Sequence, residues 1–166
     1  YDGWGRSGIQ EVFSVLSNFV ESAGANTPLY LVEADLVAAF DNVRISAIRE
    51  ALEAQGLPNE TVTCLCTLAQ IRRRGSVPGD VGIPQGNPLS PVLFTATLQY
   101  RLFQNFDWDN SGLLTPIVYV DNIIIAATED GKVQATLEQI SQLLEPTGLR
   151  LQNDIRVRDN RETSTR

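Results

Sequence analysis

Ile9, Val12, Phe13, Leu16, Phe19 and Val20 recur at three- and four-residue spacing and predict an amphipathic helix over about 8–23, stopped by Gly24. The short apolar run "LYLVEA" (29–34) predicts a strand that leads directly into Asp35. Ile45, Ile48, Ala51 and Leu52 predict a second helix closed by Gly56, and Pro58 with Asn59 opens a third that runs to about Ile71. "RRRGSVPGDVG" (72–82) is too rich in Gly and Pro for regular structure, with room for a short hairpin. "GIPQGNPLSPVLF" (82–94) predicts an irregular but fixed loop and then a helix to about Phe103, with Ser90 as N-cap and Pro91 at the first helical position. After a surface turn at "FDWDNSG", residues 114–127 read as two strands with a tight turn at Asp121–Asn122. Val133, Leu137, Ile140 and Leu144 mark a helix over 131–145, and 149–152 and 155–158 read as short extended pieces.

Helix, strand, two helices, loop, helix, hairpin, helix, strand is an α/β (α+β) order. It implies a mostly antiparallel sheet with helices on one face and the other face open to a ligand. Residues 1–158 are expected to form one domain, with 159–166 a loose polar tail. The 166 residues are 43% hydrophobic, which excludes a disordered chain. No apolar run nears the roughly 20 residues that span a bilayer, so no membrane partner is expected. A chain without a single Met reads as a processed product or an internal part of something longer. Cys64 and Cys66 form neither a disulfide framework nor a zinc signature, which suits an intracellular, reducing setting, and the absence of His excludes histidine chemistry. The net charge of −7 is a poor match to a domain that grips nucleic acid by its own field, although Arg72, Arg73 and Arg74 form a basic run.

The candidate chemistry lies at strand ends. Asp35 closes the "LYLVEA" strand and Asp121 sits at the tip of the 114–127 hairpin, so a shared sheet would bring two carboxylates close. Each would disfavour ionisation of the other, and a divalent cation relieves that. Two such ions can activate an attacking oxygen and stabilise a leaving one, with the Leu36 carbonyl as a further ligand. By themselves the residues leave a plainer reading open, because an Asp at a strand end is commonly a turn or cap residue and Asp-Asn is an ordinary turn former.

"LVEADLVAAFDNV" (31–43), "GIPQGNPLSPVLF" (82–94) and "IVYVDNIIIAA" (117–127) together resemble, in order and separation, three motifs of reverse transcriptases, most nearly those of group II introns and non-LTR retroelements. The opening "GRSGIQEVFSVL" and the stretch containing "LLEPTGLRLQND" extend the resemblance over about residues 3–158. It implies the palm of a right-hand polymerase with part of the fingers. Asp35, the Leu36 carbonyl, Asp121 and, weakly, Asn122 would hold two Mg²⁺ ions, with Asp35 and Asp121 catalytic. Phe40 would lie under the incoming sugar, where a large ring excludes a 2′-hydroxyl. Gly82, Pro84, Gln85 and Gly86 would face the nascent base pair and the template, Arg6 would meet a template phosphate, and Arg72 to Arg74 would line the nucleic-acid path.

The sequence departs from the family at two positions. The hairpin usually carries two adjacent aspartates, and here the second is Asn122, a neutral amide. The family's later Lys is replaced by Ile155, with Arg156 beside it as a substitute cation. The main expectation is RNA-templated DNA synthesis by two-metal nucleotidyl transfer, on an RNA template with a DNA or RNA primer. Missing fingers and thumb would come from the same polypeptide or from partner chains. The alternative is a catalytically reduced palm that serves as a structural part of an RNA–protein assembly, of splicing or ribosomal kind. The resemblance leaves an organelle such as the mitochondrion open as its place.

Overall fold

The structure, a computed structural model, describes residues 8–23, 29–71, 79–128 and 132–159. Along the chain they form α1 (Gly8–Ala23), β1 (Tyr30–Asp35), α2 (Ala39–Asn42), α3 (Ile45–Ala54), α4 (Asn59–Ala69), α5 (Leu89–Leu98), β2 (Ile117–Tyr119), β3 (Asn122–Ala127), α6 (Val133–Leu144) and β4 (Arg156–Asp159). A π-helical stretch, Gln99–Gln104, extends α5, and a 3-10 turn, Glu145–Thr147, follows α6. The chain divides into two compact units: the first contains α1, the sheet and α6 as far as Gln142, and the second contains residues 37–106 and 143–150. No helix among the described residues is long and apolar enough to cross a membrane.

In the first unit the four strands lie in the order β2-β3-β1-β4, every neighbouring pair antiparallel. Because strand side chains alternate, the register sorts them into two faces. Val32 and Ala34 of β1 share one face with Ile123, Ile125 and Ala127 of β3, and all five are buried. Leu31, Glu33 and Asp35 share the other with Ala126, Ile124 and Asn122. The expected class is what the chain adopts: mixed α/β, an antiparallel sheet with helices on one face. The same unit buries Thr136, Leu137 and Ile140 of α6, at the i, i+1, i+4 spacing of a core-facing helix. The Thr136 hydroxyl accepts the Leu114 N–H at 3.2 Å, so its buried oxygen is satisfied.

In the second unit α3 packs against α4 and α5. Ala47, Ile48, Ala51 and Leu52 form its buried stripe, facing Val62, Cys66 and Ala69 as the buried positions of α4. α5 is buried on nearly all sides, with Ser90, Leu93, Phe94, Ala96, Thr97 and Leu98 inside, as a helix without a polar face must be.

Three expectations are corrected and one element is added. α5 starts at Leu89 rather than from a Ser90 cap: the Asn87 side-chain oxygen accepts the Leu89 N–H at 3.0 Å, while Ser90 is fully buried and donates to the Pro84 carbonyl at 2.6 Å. The helix does not run uniformly to Phe103, because beyond Leu98 its winding loosens, with the Asn105 N–H bonded to the Tyr100 carbonyl at 3.1 Å. The hairpin turn lies at Val120–Asp121, one residue earlier than expected, so Asn122 is a strand residue paired with Tyr119. The short helix α2 was not foreseen; Ala38 enters it at φ 39°, and the Asn42 side-chain amide donates to the Val37 carbonyl at 2.9 Å.

The "GIPQGNPLSP" loop is fixed, as its composition suggested. Its Gly82 N–H donates to the Val43 carbonyl and its Ile83 N–H to the Phe40 carbonyl, both at 2.7 Å, and the Asn87 amide donates to the Leu68 carbonyl at 3.0 Å.

Candidate functional site

The end of β1 is held from both sides by backbone. The Leu36 N–H donates to the Asp121 carbonyl at 3.1 Å, which ties the strand end to the hairpin tip. The Gln152 N–H donates to the Asp35 carbonyl at 2.8 Å, beside an isolated bridge between Leu36 and Leu151. Leu36 itself is buried. In the β1–β3 register Asn122 stands directly opposite Asp35. Asp121 is exposed in the turn, and the Asn122 Oδ1 atom is buried with no hydrogen-bond partner.

β4 supplies the positive charge. It pairs antiparallel with β1, Glu33 opposite Arg156 and Leu31 opposite Arg158. Directly opposed residues point to the same face, so both guanidinium groups emerge on the face that carries Glu33 and Asp35. Arg156 Nη2 lies 3.0 Å from Asp35 Oδ2, and Arg156 Nε lies 3.8 Å from Glu33 Oε2. Arg158 Nη2 lies 3.9 Å from Glu33 Oε2. The Arg156 side chain is 53% exposed and that of Asp35 is 33% exposed, so water screens the pair and its worth is about 0.2–1 kcal/mol. Arg158 is more exposed still, so the geometry fixes where charge sits more than it stabilises the fold.

Glu33 and Arg158 were missed from the sequence. Their signal was present in the alternation of "LVEAD" with "RVR", which puts two acids and two bases on one face once the strands are paired.

The donor set does not fit two-metal chemistry. Among the described residues no group of three or more His, Cys, Asp or Glu side chains stands together to hold a metal ion. One Asp35 oxygen already faces the Arg156 guanidinium, and the residue opposite Asp35 offers a neutral amide instead of a second carboxylate. Hard divalent ions bridging a phosphate call for several anionic oxygens at close quarters. The expectation that this chain performs two-metal nucleotidyl transfer is therefore overturned.

The remaining candidates lie in the second unit or outside the described residues. The Phe40 ring sits 5.2 Å from that of Phe94, centroid to centroid, at an interplanar angle of 56°. Gly82 (φ 91°) and Gly86 (φ 88°) adopt the left-handed conformations that the loop requires, and Gln85 and Gly86 form an exposed turn after Pro84. Arg6, Arg72, Arg73 and Arg74 lie outside the described residues. Cys66, buried in α4, has its thiol pushed above the usual value by burial; Arg49 lowers it and Glu53 raises it by smaller amounts. Cys64 is exposed.

An antiparallel sheet with helices on one face, an acidic residue ending the inner strand and another in the adjoining hairpin turn, defines a polymerase-palm-like class. The chain belongs to the reverse transcriptase (RNA-dependent DNA polymerase) family, whose sequence profile it matches over residues 7–154. It is 28% identical over 160 residues to the retrovirus-related Pol polyprotein from the type-1 retrotransposable element R2 of Nasonia vitripennis; the match takes in 87% of this chain and 15% of that protein. Among solved structures it is similar to the telomerase of Candida albicans in complex with a fragment of telomeric RNA, with a TM-score of 0.61 at 15% identity, over 95% of this chain and 31% of that one. It is similar also to apo telomerase from Candida tropicalis, with a TM-score of 0.65 at 11% identity, over 92% and 32%. These last two likenesses concern the fold alone. The chain spans well under half the length of each of these relatives.

Proposed function

We propose that this chain is a structural part of an RNA–protein assembly, a reverse transcriptase-type palm in which the acidic strand end serves architecture instead of template copying. The observation that carries the reading is the Arg156–Asp35 ion pair beside an amide at Asn122, in a chain whose described residues hold no metal-ligating cluster. An RNA partner is supported by the family and by a likeness in fold to a telomerase solved with an RNA fragment. The net charge of −7 argues that this segment contributes little long-range attraction for RNA. Basic surface would then come from flanking parts of the same polypeptide or from partner chains. The resemblance of its motifs to those of group II intron and non-LTR enzymes supports an assembly built on structured RNA rather than on duplex DNA.

The test uses the chain within its longest natural polypeptide. Gel-shift titration with a structured RNA and with a DNA duplex of equal length is run beside primer extension in Mg²⁺ and in Mn²⁺. RNA retention that survives EDTA and Asp35→Asn, without nucleotide incorporation, is the expected result. Metal-dependent incorporation lost in Asp35→Asn would overturn the structural reading, and equal or absent binding of both nucleic acids would remove RNA as the partner.

A further inference from the structure

The disagreement between this donor set and a metal centre has a constructive side. Asp35 and Glu33 point to one face of β1, two residues apart, and repel. That repulsion needs a cation. Arg156 reaches both, through Nη2 at 3.0 Å to Asp35 and Nε at 3.8 Å to Glu33, and Arg158 adds a second guanidinium at 3.9 Å from Glu33. Two acids and two bases close a neutral cluster across the β1–β4 pair. Its charges sit at fixed register positions on paired strands. We infer that Arg156 is a tethered counter-ion, a specificity residue that makes the acidic end of the sheet self-neutralising and turns away divalent cations.

The consequence is an ion preference built into an edge strand. A guanidinium is always charged and presents its donors in a rigid fork, so it can serve two carboxylates at once without the dehydration that a small divalent ion resists. Asn122 fits the same plan. A neutral amide opposite Asp35 adds no third negative charge for the two arginines to balance. The inference concerns the ion chemistry of this sheet alone and holds whatever the chain assembles with.

Mn²⁺ is the probe, titrated against the whole chain and followed by the loss of the free-ion paramagnetic resonance signal, with thermal melting in EDTA and in Mg²⁺ as a second readout. The parent is expected to take up no Mn²⁺ that Asp35→Asn abolishes, and its melting temperature to be the same in both media. Arg156→Gln, which leaves the two carboxylates unbalanced, is expected to gain an Mn²⁺ uptake that the parent lacks and that a further Asp35→Asn abolishes. It should also melt higher in Mg²⁺ than in EDTA. Arg156→Lys, which keeps the charge but not the fork, should stay closer to the parent than Arg156→Gln does. Equal Mn²⁺ responses in the parent and Arg156→Gln, whether both bind or neither does, overturn the inference. Should Arg156→Gln fail to fold, an Asp35-dependent Mn²⁺ response in the parent overturns it equally, and its absence together with an Arg156→Lys protein that also ignores Mn²⁺ supports it.

Discussion

Asn122 stands directly across from Asp35 in the β1–β3 ladder, with its Oδ1 atom buried and unpartnered. The pairing sets what each position tolerates. A carboxylate at 122 would place a buried anionic oxygen opposite a second anion, and both the repulsion and the desolvation act in the same direction.

Asn122→Asp is accordingly expected to lose about 1–3 kcal/mol at neutral pH in EDTA, measured by urea denaturation. The sign with pH follows from the new group. Its carboxyl is held above its unfolded value, so the folded state keeps the proton to higher pH than the unfolded chain does; the penalty is absent below the unfolded value near about pH 4, and the variant should approach the parent there. Asn122→Val, which removes a polar atom with no partner, is expected to fall within about 1 kcal/mol of the parent or above it. A neutral Asn122→Asp with an unstable Asn122→Val would reverse the account.

Much of this was legible in the sequence. The apolar run "LYLVEA" located β1 to within a residue, and the spacing of Val133, Leu137, Ile140 and Leu144 located α6. The motif blocks pointed to the family, which the match over residues 7–154 bears out. What escaped was decided by tertiary bonds. Ser90 has the chemistry of an N-cap, yet its hydroxyl is bonded to the Pro84 carbonyl inside the fold. Asp121–Asn122 has the chemistry of a turn, yet the ladder places Asn122 in the strand and leaves Val120 to make the bend. The Arg156–Asp35 pair joins residues far apart in sequence, and only the β1–β4 register reveals it.

Val120 turns at φ 56°, a left-handed conformation that a β-branched side chain resists. It is also 48% exposed, so it gives back little buried area in return. Val120→Asn, a residue that tolerates this conformation, is expected to raise stability by about 0.5–1 kcal/mol in denaturant titration. A loss would show that the Val120 side chain contributes packing that its exposure does not suggest.

Gly148 and Gly86 separate two costs of a side chain at positive φ. Both lie in the left-handed region, at +81° and +88°. A Cβ on Gly86 meets nothing within 4 Å, whereas on Gly148 it would lie 2.7 Å from the Asn42 carbonyl oxygen, a backbone atom that cannot swing aside. Gly86→Ala should therefore cost about 1–2 kcal/mol, from conformation alone. Gly148→Ala should cost about 2–5 kcal/mol, conformation and overpacking together. Equal losses in the two variants would show that the close approach of residue 148 to the end of α2 is not maintained in solution.

Ser90 and Pro84 provide a third measure, on the loop that precedes α5. The hydroxyl is fully buried and donates to the Pro84 carbonyl at 2.6 Å. Ser90→Ala leaves that acceptor without its donor and should cost about 1–3 kcal/mol. Ser90→Thr keeps the donor while adding a methyl group to a packed position, so it trades a hydrogen-bond loss for overpacking of about 1–3 kcal/mol. An Ala variant as stable as the parent would mean that the loop does not depend on this bond.

Cys66 gives the pH-dependent test. Burial holds its thiol above the usual value of 9.0, so the folded chain keeps the proton where an unfolded chain has released it. With the folded value raised, the stabilising contribution is complete below the unfolded value and is lost as pH climbs through the folded one. Stability of the parent should thus decline above about pH 9, measured by urea midpoints from about pH 7 to 10. Cys66→Ala, which keeps a small apolar group at the α4 position facing the core, should flatten that decline after an overall loss of about 1 kcal/mol. The exposed Cys64 has no such protection and should be alkylated by iodoacetamide at neutral pH while Cys66 stays unmodified until the chain is unfolded. Equal labelling of the two thiols under native conditions would show that α4 opens too readily for the burial of Cys66 to control its chemistry.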